Sequence, residues 1–185
     1  MNNFPCIPLD AFTQVVDALS YSAAQHIDQR RKDERGTPYI NHPISLLHIL
    51  VTIGKVTDAA VLVAGLLHDT IEDTDTLYAD LAARFGTEVA DIVLEVSDDK
   101  SLPKPERKRL QIEHAAHSSY KARLVKLADK IANMRDIAVS PPKGWSLQRQ
   151  QAYFDWAAAV LEGLRGTNAE LEQAYEQALL ARPRG

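Results

Sequence analysis

Cysteine is nearly absent from these 185 residues: one, Cys6, stands near the start. That excludes a disulfide framework and any cysteine-rich zinc module, and it fits a reducing compartment. Aromatic residues make up only 6%, and no segment alternates β-branched or aromatic residues with polar ones, so the half-buried strand pattern is missing. Long apolar runs are missing as well. The longest, Ala59 to Leu67, has about nine residues where a membrane span needs about 20, so no membrane partner is expected. The opening MNNFPCIPLDAFTQ has neither a basic start nor an unbroken apolar stretch, which argues against a secretory signal and for a cytoplasmic protein. Basic excess is lacking too. The 25 Asp and Glu outnumber the 21 Lys and Arg, net charge −4, whereas nucleic-acid binding wants a basic face. The length fits one domain, residues 1–185, able to bury about 70% of its unfolded surface without a staple.

What is present is helical periodicity. From Asp10 to about Arg30, Val15, Leu19, Ser22, Ala23 and His26 share a face; from Pro43 to Gly54, Ile44, Leu47, His48 and Val51 do so. Thr57-Asp58 is an N-cap signal before a segment apolar on every side, hence a central buried helix. Further helices fit from Asp75 to Phe85, Thr87 to Glu95, Tyr120 to Ala138, Leu147 to Leu164 and Thr167 to Ala181. Ser97 to Arg109, with two prolines and dense charge, reads as a loop leading into a helix. The expectation is an all-α, compact single-domain bundle of about eight to ten helices.

The informative residues are polar ones where a helical core should be apolar. His68-Asp69 ends the most hydrophobic segment, and Glu72, Asp73 and Asp75 follow. Four carboxylates in seven residues beside a buried segment repel one another, and a bound cation is the simplest compensation. If helical geometry persists there, His68, Asp69 and Glu72 share a face. His42 precedes a helix-starting proline. Asp129 interrupts an apolar helix, with Asn133 one turn further along. Two imidazoles and two carboxylates, His42, His68, Asp69 and Asp129, suit Mn²⁺, Fe²⁺ or Zn²⁺ better than Mg²⁺ or Ca²⁺. Tyr39, beside His42, is an aromatic able to stack on a purine. His26 and His48 read as core or boundary histidines, His114 and His117 as surface ones. Trp145, Phe154 and Trp156 read as packing residues, and Arg30 as a salt-bridging neighbour. Lys104, Arg107, Lys108 and Arg109 form either a mobile basic loop over phosphates or a solvated charge run.

The order His42 … His68-Asp69 … Asp129 resembles the signature of the HD-domain metal-dependent phosphohydrolases. Arg30-Arg-Lys-Asp33, Gly36-Thr-Pro-Tyr-Ile-Asn-His-Pro43, Leu66-Leu-His-Asp-Thr-Ile-Glu-Asp73 and Leu124-Val-Lys-Leu-Ala-Asp-Lys130 narrow this. They resemble the hydrolase domain of the RelA/SpoT alarmone enzymes. Ser97-Asp-Asp-Lys-Ser-Leu-Pro103, Gly144-Trp-Ser146, Tyr153-Phe-Asp-Trp156 and Gly163-Leu-Arg-Gly-Thr-Asn168 are similar to the small stand-alone forms, including the metazoan SpoT homologue. The resemblance spans about residues 10–180.

It implies an HD-type fold and a (p)ppGpp 3′-pyrophosphohydrolase acting on a small-molecule nucleotide. By the same resemblance His42, His68, Asp69 and Asp129 would hold one Mn²⁺, and Glu72 and Asp73 would position and deprotonate the attacking water. Arg31 and Lys32 would face the substrate, with Asn133 and Tyr153 lining the pocket. The length leaves no room for synthetase and regulatory domains, so degradation without synthesis is expected. Two other readings stay open: another phosphate ester, such as NADPH at its 2′-phosphate or a nucleoside monophosphate, and a non-catalytic nucleotide-binding regulator.

Overall fold

A computed structural model describes residues 9–185; Cys6 lies outside the described residues. Within them ten helices follow in order. They are α1 (Leu9–Gln25), α2 (Asn41–Thr52), α3 (Ala59–Leu67), α4 (Thr70–Asp73), α5 (Tyr78–Phe85), α6 (Thr87–Val96), α7 (Lys104–Ala115), α8 (Tyr120–Val139), α9 (Leu147–Leu164) and α10 (Ala169–Leu180). Among the described residues there is no strand, only an isolated antiparallel bridge between Arg30 and Pro38. None of the helices is long and apolar enough to cross a membrane.

The all-round apolar segment is the centre of the bundle, as its composition requires. Asp58 caps α3 by accepting from the amides of Ala60 and Val61, and Val61 to Leu67 are buried without a break. Around it pack α1, α2, α6 and α8. At Gly65 a Cβ would lie 2.7 Å from Leu46 Cδ2 and 2.9 Å from Leu50 Cδ1, so only glycine lets α2 sit this close to α3. The second spine is α8, whose Leu124, Val125, Leu127, Ala128, Ile131 and Met134 are buried. It joins α2 and α6 to α9 and α10. One apolar cluster runs from Val15 to Ala178. On its flank α7 leans on α9, where Trp156 Nε1 donates to the Lys108 carbonyl at 3.0 Å.

Several expectations need correction. Ser97–Arg109 is a loop only to Pro103; Lys104 to Arg109 form the first half of α7. Pro103 and Pro105 did not break this helix because they occupy its cap and first turn, where a missing N–H costs nothing. On α2 the buried set is His42, Pro43, Leu46, Ile49 and Leu50, whereas His48 is exposed and Ile44 is 42% exposed. The inward His42 sets the phase of that helix, and a hydrophobicity reading counts it as polar. Among the described residues Arg30 makes no ion pair; it donates to the carbonyls of Ile27 and Gln29. His26 is buried and His114 and His117 are exposed, as expected. Phe154 is in the core, while Trp145 and Trp156 are only partly buried and also face a cavity.

Candidate functional site

The helical geometry does not run straight through His68-Asp69. The backbone turns there, with Asp69 at φ −100° and ψ 0°, and resumes for the single turn α4. His68 itself is still helical, at φ −54° and ψ −32°, and buried; the departure is at Asp69. His68 Nδ1 lies 2.8 Å from the Gly65 carbonyl, which can only accept, so Nδ1 carries a proton. That leaves Nε2 facing Asp69 Oδ2 at 2.9 Å and Asp129 Oδ1 at 3.8 Å. His42, at the start of α2, brings its Nε2 to 3.1 Å from Asp129 Oδ1. Its ring meets that of His68 at 5.1 Å between centroids. One ligand atom each from His42, His68 and Asp69 fall within 4.8 Å of one another. Asp129 stands beside this group and touches both imidazoles.

The protein's own electrostatics show how closely these groups are coupled. Burial would lower the His68 pKa, but the Asp69 carboxylate overrides it and raises it to about 9. Burial would likewise raise Asp69, and the charge of His68 instead holds it well below the usual carboxylate range. Asp129 is also held low against its burial, by Lys130 and His42; Lys130 Nζ lies 2.7 Å from Asp129 Oδ2. His68 Nε2 is buried and, despite the close oxygens, has no aligned hydrogen-bond partner; His42 Nδ1 is buried without one too. Converging nitrogen and oxygen donors with an imidazole nitrogen left over fit a divalent cation of the Mn²⁺, Fe²⁺ or Zn²⁺ type.

Glu72 and Asp73 stand at the mouth of this group. Glu72 Oε2 accepts the Asp98 amide at 3.1 Å, and Oε1 faces Arg107 at 3.6 Å and Lys100 at 3.9 Å. Burial, followed by the nearby Asp69 charge, pushes its pKa up to about 7. Asp73 is ion-paired with Lys100 and accepts from Gln29 Nε2 at 3.1 Å. Tyr39 donates its hydroxyl to Asp69. Its phenol stays protonated because burial and the Asp69 charge drive its pKa far upward.

Residues 26–40 deliver the basic pair. Arg31 N bonds to the Thr37 carbonyl at 2.8 Å and Tyr39 N to the Gln29 carbonyl at 3.1 Å, with Gly36 turning at φ +59°. Arg31 ends 2.5 Å from Asp136 Oδ2 and 3.3 Å from Asn133 Oδ1. Asn133 in turn donates to Asp129 Oδ1 at 2.6 Å, so it ties the basic pair to the acidic group. Lys32 is exposed at the rim.

Two adjoining cavities, of about 410 and 710 Å³, share Lys32, Tyr39, His42, Asn133 and Tyr153. The smaller is walled by Arg31 and the C-terminal end of α8. The larger reaches His68, Asp69, Glu72 and Asp129, and is also lined by Lys104, Arg107, Lys108 and Arg149 from α7 and α9. The ten residues that the resemblance assigned and Tyr39 therefore all line these cavities, whereas Arg109 lines neither and pairs with Glu106 and Glu113. Sequence reasoning missed Asp136, Arg149, Lys126 and Lys130. For the two lysines a signal existed: they interrupt the same apolar stretch of α8 as Asp129 does. Burial and the Lys130 charge push Lys126 down to about 8.

The HD domain family model matches residues 18–154. The chain is 54% identical over 168 residues to the Danio rerio protein named guanosine-3′,5′-bis(diphosphate) 3′-pyrophosphohydrolase MESH1, covering 91% of this chain and 93% of that one. The Homo sapiens protein of the same name is 55% identical over 163 residues, with 88% and 91% covered. A solved structure of a metazoan SpoT orthologue, described as hydrolysing ppGpp, superposes with a TM-score of 0.89 at 50% identity, covering 91% of this chain and 95% of that one. Family match, shared fold and the His42, His68 and Asp69 grouping agree: the chain belongs to the HD domain family.

Proposed function

We propose that the chain is a manganese-dependent hydrolase that removes the 3′-diphosphate of guanosine tetra- and pentaphosphate, leaving GDP or GTP and pyrophosphate. One observation carries the reading: the His42, His68 and Asp69 group, with both imidazoles buried, opens into a cavity that is also lined by Lys104, Arg107, Lys108 and Arg149. That is the charge pattern a polyanion bound beside a divalent cation needs. The names of the relatives above support the guanosine substrate.

His42, His68, Asp69 and Asp129 would hold the ion, which supplies Lewis acidity to lower the pKa of water and to offset charge on the phosphoryl group. The remaining work belongs to side chains. Glu72, with a pKa near neutrality, takes a proton from the attacking water, and Asp73 holds that water in line. The water oxygen bonds to the phosphorus nearest the ribose, the bond from that phosphorus to the 3′ oxygen breaks, and a proton returns to the 3′ oxygen. Arg31 grips phosphate with its fork and Lys32 as a point charge. Tyr39, Asn133 and Tyr153 line the space for the nucleoside. Residues 1–185 act as one hydrolase unit, a reading supported by the continuous core, and its setting is the cytoplasm.

A substrate panel with added Mn²⁺ tests this, with pyrophosphate and orthophosphate measured separately. Guanosine tetraphosphate should give pyrophosphate and GDP in equal amounts. Orthophosphate from NADPH or a nucleoside monophosphate, with no pyrophosphate from the tetraphosphate, would overturn it.

A further inference from the structure

One buried titratable side chain has no part in the scheme above. His26 is 2% exposed, follows the end of α1, and has an Nε2 with no hydrogen-bond partner. Its Nδ1 lies 2.5 Å from Gln29 Oε1, and the other end of that amide, Nε2, lies 3.1 Å from Asp73 Oδ2. Only one arrangement of hydrogens satisfies this chain. The Asp73 carboxylate accepts, so the amide must present N–H to it; the amide oxygen then faces His26, and His26 must carry its proton on Nδ1. A second proton, on the buried and unpartnered Nε2, would make an uncompensated imidazolium, so the ring is the neutral Nδ1–H form. The His26 ring also rests on Tyr39, 4.8 Å between centroids, and Tyr39 donates to Asp69. One imidazole thus backs two arms, one to Asp73 and one to Asp69.

We infer that His26 is a positioning residue for hydrolysis: its Nδ1–H orients the Gln29 amide, and the amide holds Asp73 in place beside the attacking water. This rests on the reading of Asp73 given above. Among the described residues the Asp73 carboxylate is otherwise held only by Lys100, from the exposed turn between α6 and α7. Among the described residues the Gln29 arm is the one side-chain bond that ties this carboxylate to the buried His26, and α4, a single turn, gives Asp73 little support of its own. Without a donor at position 26 the Gln29 amide is free to rotate. Its oxygen can then face the Asp73 carboxylate and push it away.

Three variants separate orientation from packing. His26→Phe keeps a ring against Tyr39 but has no donor. His26→Asn loses the ring but offers an amide N–H where Nδ1 stood. Gln29→Met keeps length and removes both bonds at a half-buried position. With guanosine tetraphosphate, His26→Phe and Gln29→Met should lose roughly 10–100-fold in kcat, with KM and Mn²⁺ titration nearly unchanged, and His26→Asn should recover most of the rate. In the NMR spectrum of the wild-type protein the Gln29 side-chain amide should be protected from exchange, and in His26→Phe that protection should be lost. Full kcat in His26→Phe, or equal losses in His26→Phe and His26→Asn, would overturn the inference, since packing alone predicts that the ring matters. If His26→Phe does not melt cooperatively, an undiminished kcat in Gln29→Met overturns it. Unchanged Gln29 protection in a folded His26→Phe overturns it without reference to activity. A wild-type protein that releases no pyrophosphate would instead refute the function proposed above.

Discussion

The two walls of the larger cavity are built differently. The acidic wall, His42, His68, Asp69 and Asp129, hangs from α2, α3 and α8, the helices that share the buried core. The cationic wall, Lys104, Arg107, Lys108 and Arg149, rides on α7 and α9 at the flank. On the first wall each residue is held by a hydrogen bond: His42 by Asp129, His68 by the Gly65 carbonyl, Asp129 by Asn133 and Lys130, Asp69 by Tyr39. On the second, charges rest on aromatic faces, with Lys108 4.5 Å from the Trp156 ring and Arg149 4.4 Å from that of Trp145. Buried, cross-braced groups suit chemistry that tolerates little displacement, and cations at a flank suit a ligand that must enter and leave.

If that contrast is right, the largest losses come from the acidic wall. His68→Ala and Asp69→Ala should each abolish Mn²⁺ binding and cut pyrophosphate release by roughly 10³-fold or more. Helix content by circular dichroism should stay near wild type, because the apolar face of α3 still packs. Stoichiometric Mn²⁺ in either variant would show that it is not a ligand.

Glu72→Gln should come next, with a kcat loss of about 10²–10⁴-fold and metal retained. The same change should stabilise the metal-free protein. The Glu72 pKa is raised from 4.5 to about 7 by burial and Asp69, so between those values the folded state binds more protons than the unfolded one. Stability therefore falls as pH rises through that window, and above it the buried charge remains a cost. Removing that charge should raise the melting temperature at pH 8 by a few degrees, at about 2–4 °C per kcal/mol. The gain should vanish below pH 4.5. A pH-independent difference would mean that Glu72 is not ionising in the fold.

The smallest effect should come from the basic pair. Arg31→Ala leaves Asp136 unpaired but 47% exposed, so stability should hardly change. KM for guanosine tetraphosphate should rise roughly 10-fold, the loss of one charge-assisted phosphate contact, and a plain phosphomonoester should be much less affected. Equal losses on the two substrates would assign Arg31 to supporting Asn133 and the acidic wall.

The legibility of these features in the sequence divides along the same line. The central helix α3 was plain because nine apolar residues admit no exposed face, and His68, Asp69 and Asp129 stood out as polar interruptions of buried segments. The cap at Asp58 was visible as a residue type. What could not be read was tertiary. The turn at His68-Asp69 sets these side chains against His42 of α2 and Asp129 of α8, contacts that no local pattern encodes. The start of α7 was hidden by prolines that are harmless at a helix N-terminus, and the partnership of Arg31 with Asp136 joins residues 105 positions apart. His26 was recognised as buried, but its link to Asp73 through Gln29 depends on a side-chain rotamer that no periodicity encodes.

The central claim is that the acidic wall is a site for a divalent cation, and calorimetric titration of the metal-free protein with Mn²⁺ tests it most directly, in buffers of different ionisation enthalpy. His68 holds a proton up to a pKa of about 9, and a cation must displace it to reach Nε2. Below that value, affinity should therefore rise with pH. The account predicts one Mn²⁺ per chain at pH 7.5, with about one proton released to the buffer. Absence of saturable binding, or binding with no proton release, would contradict it.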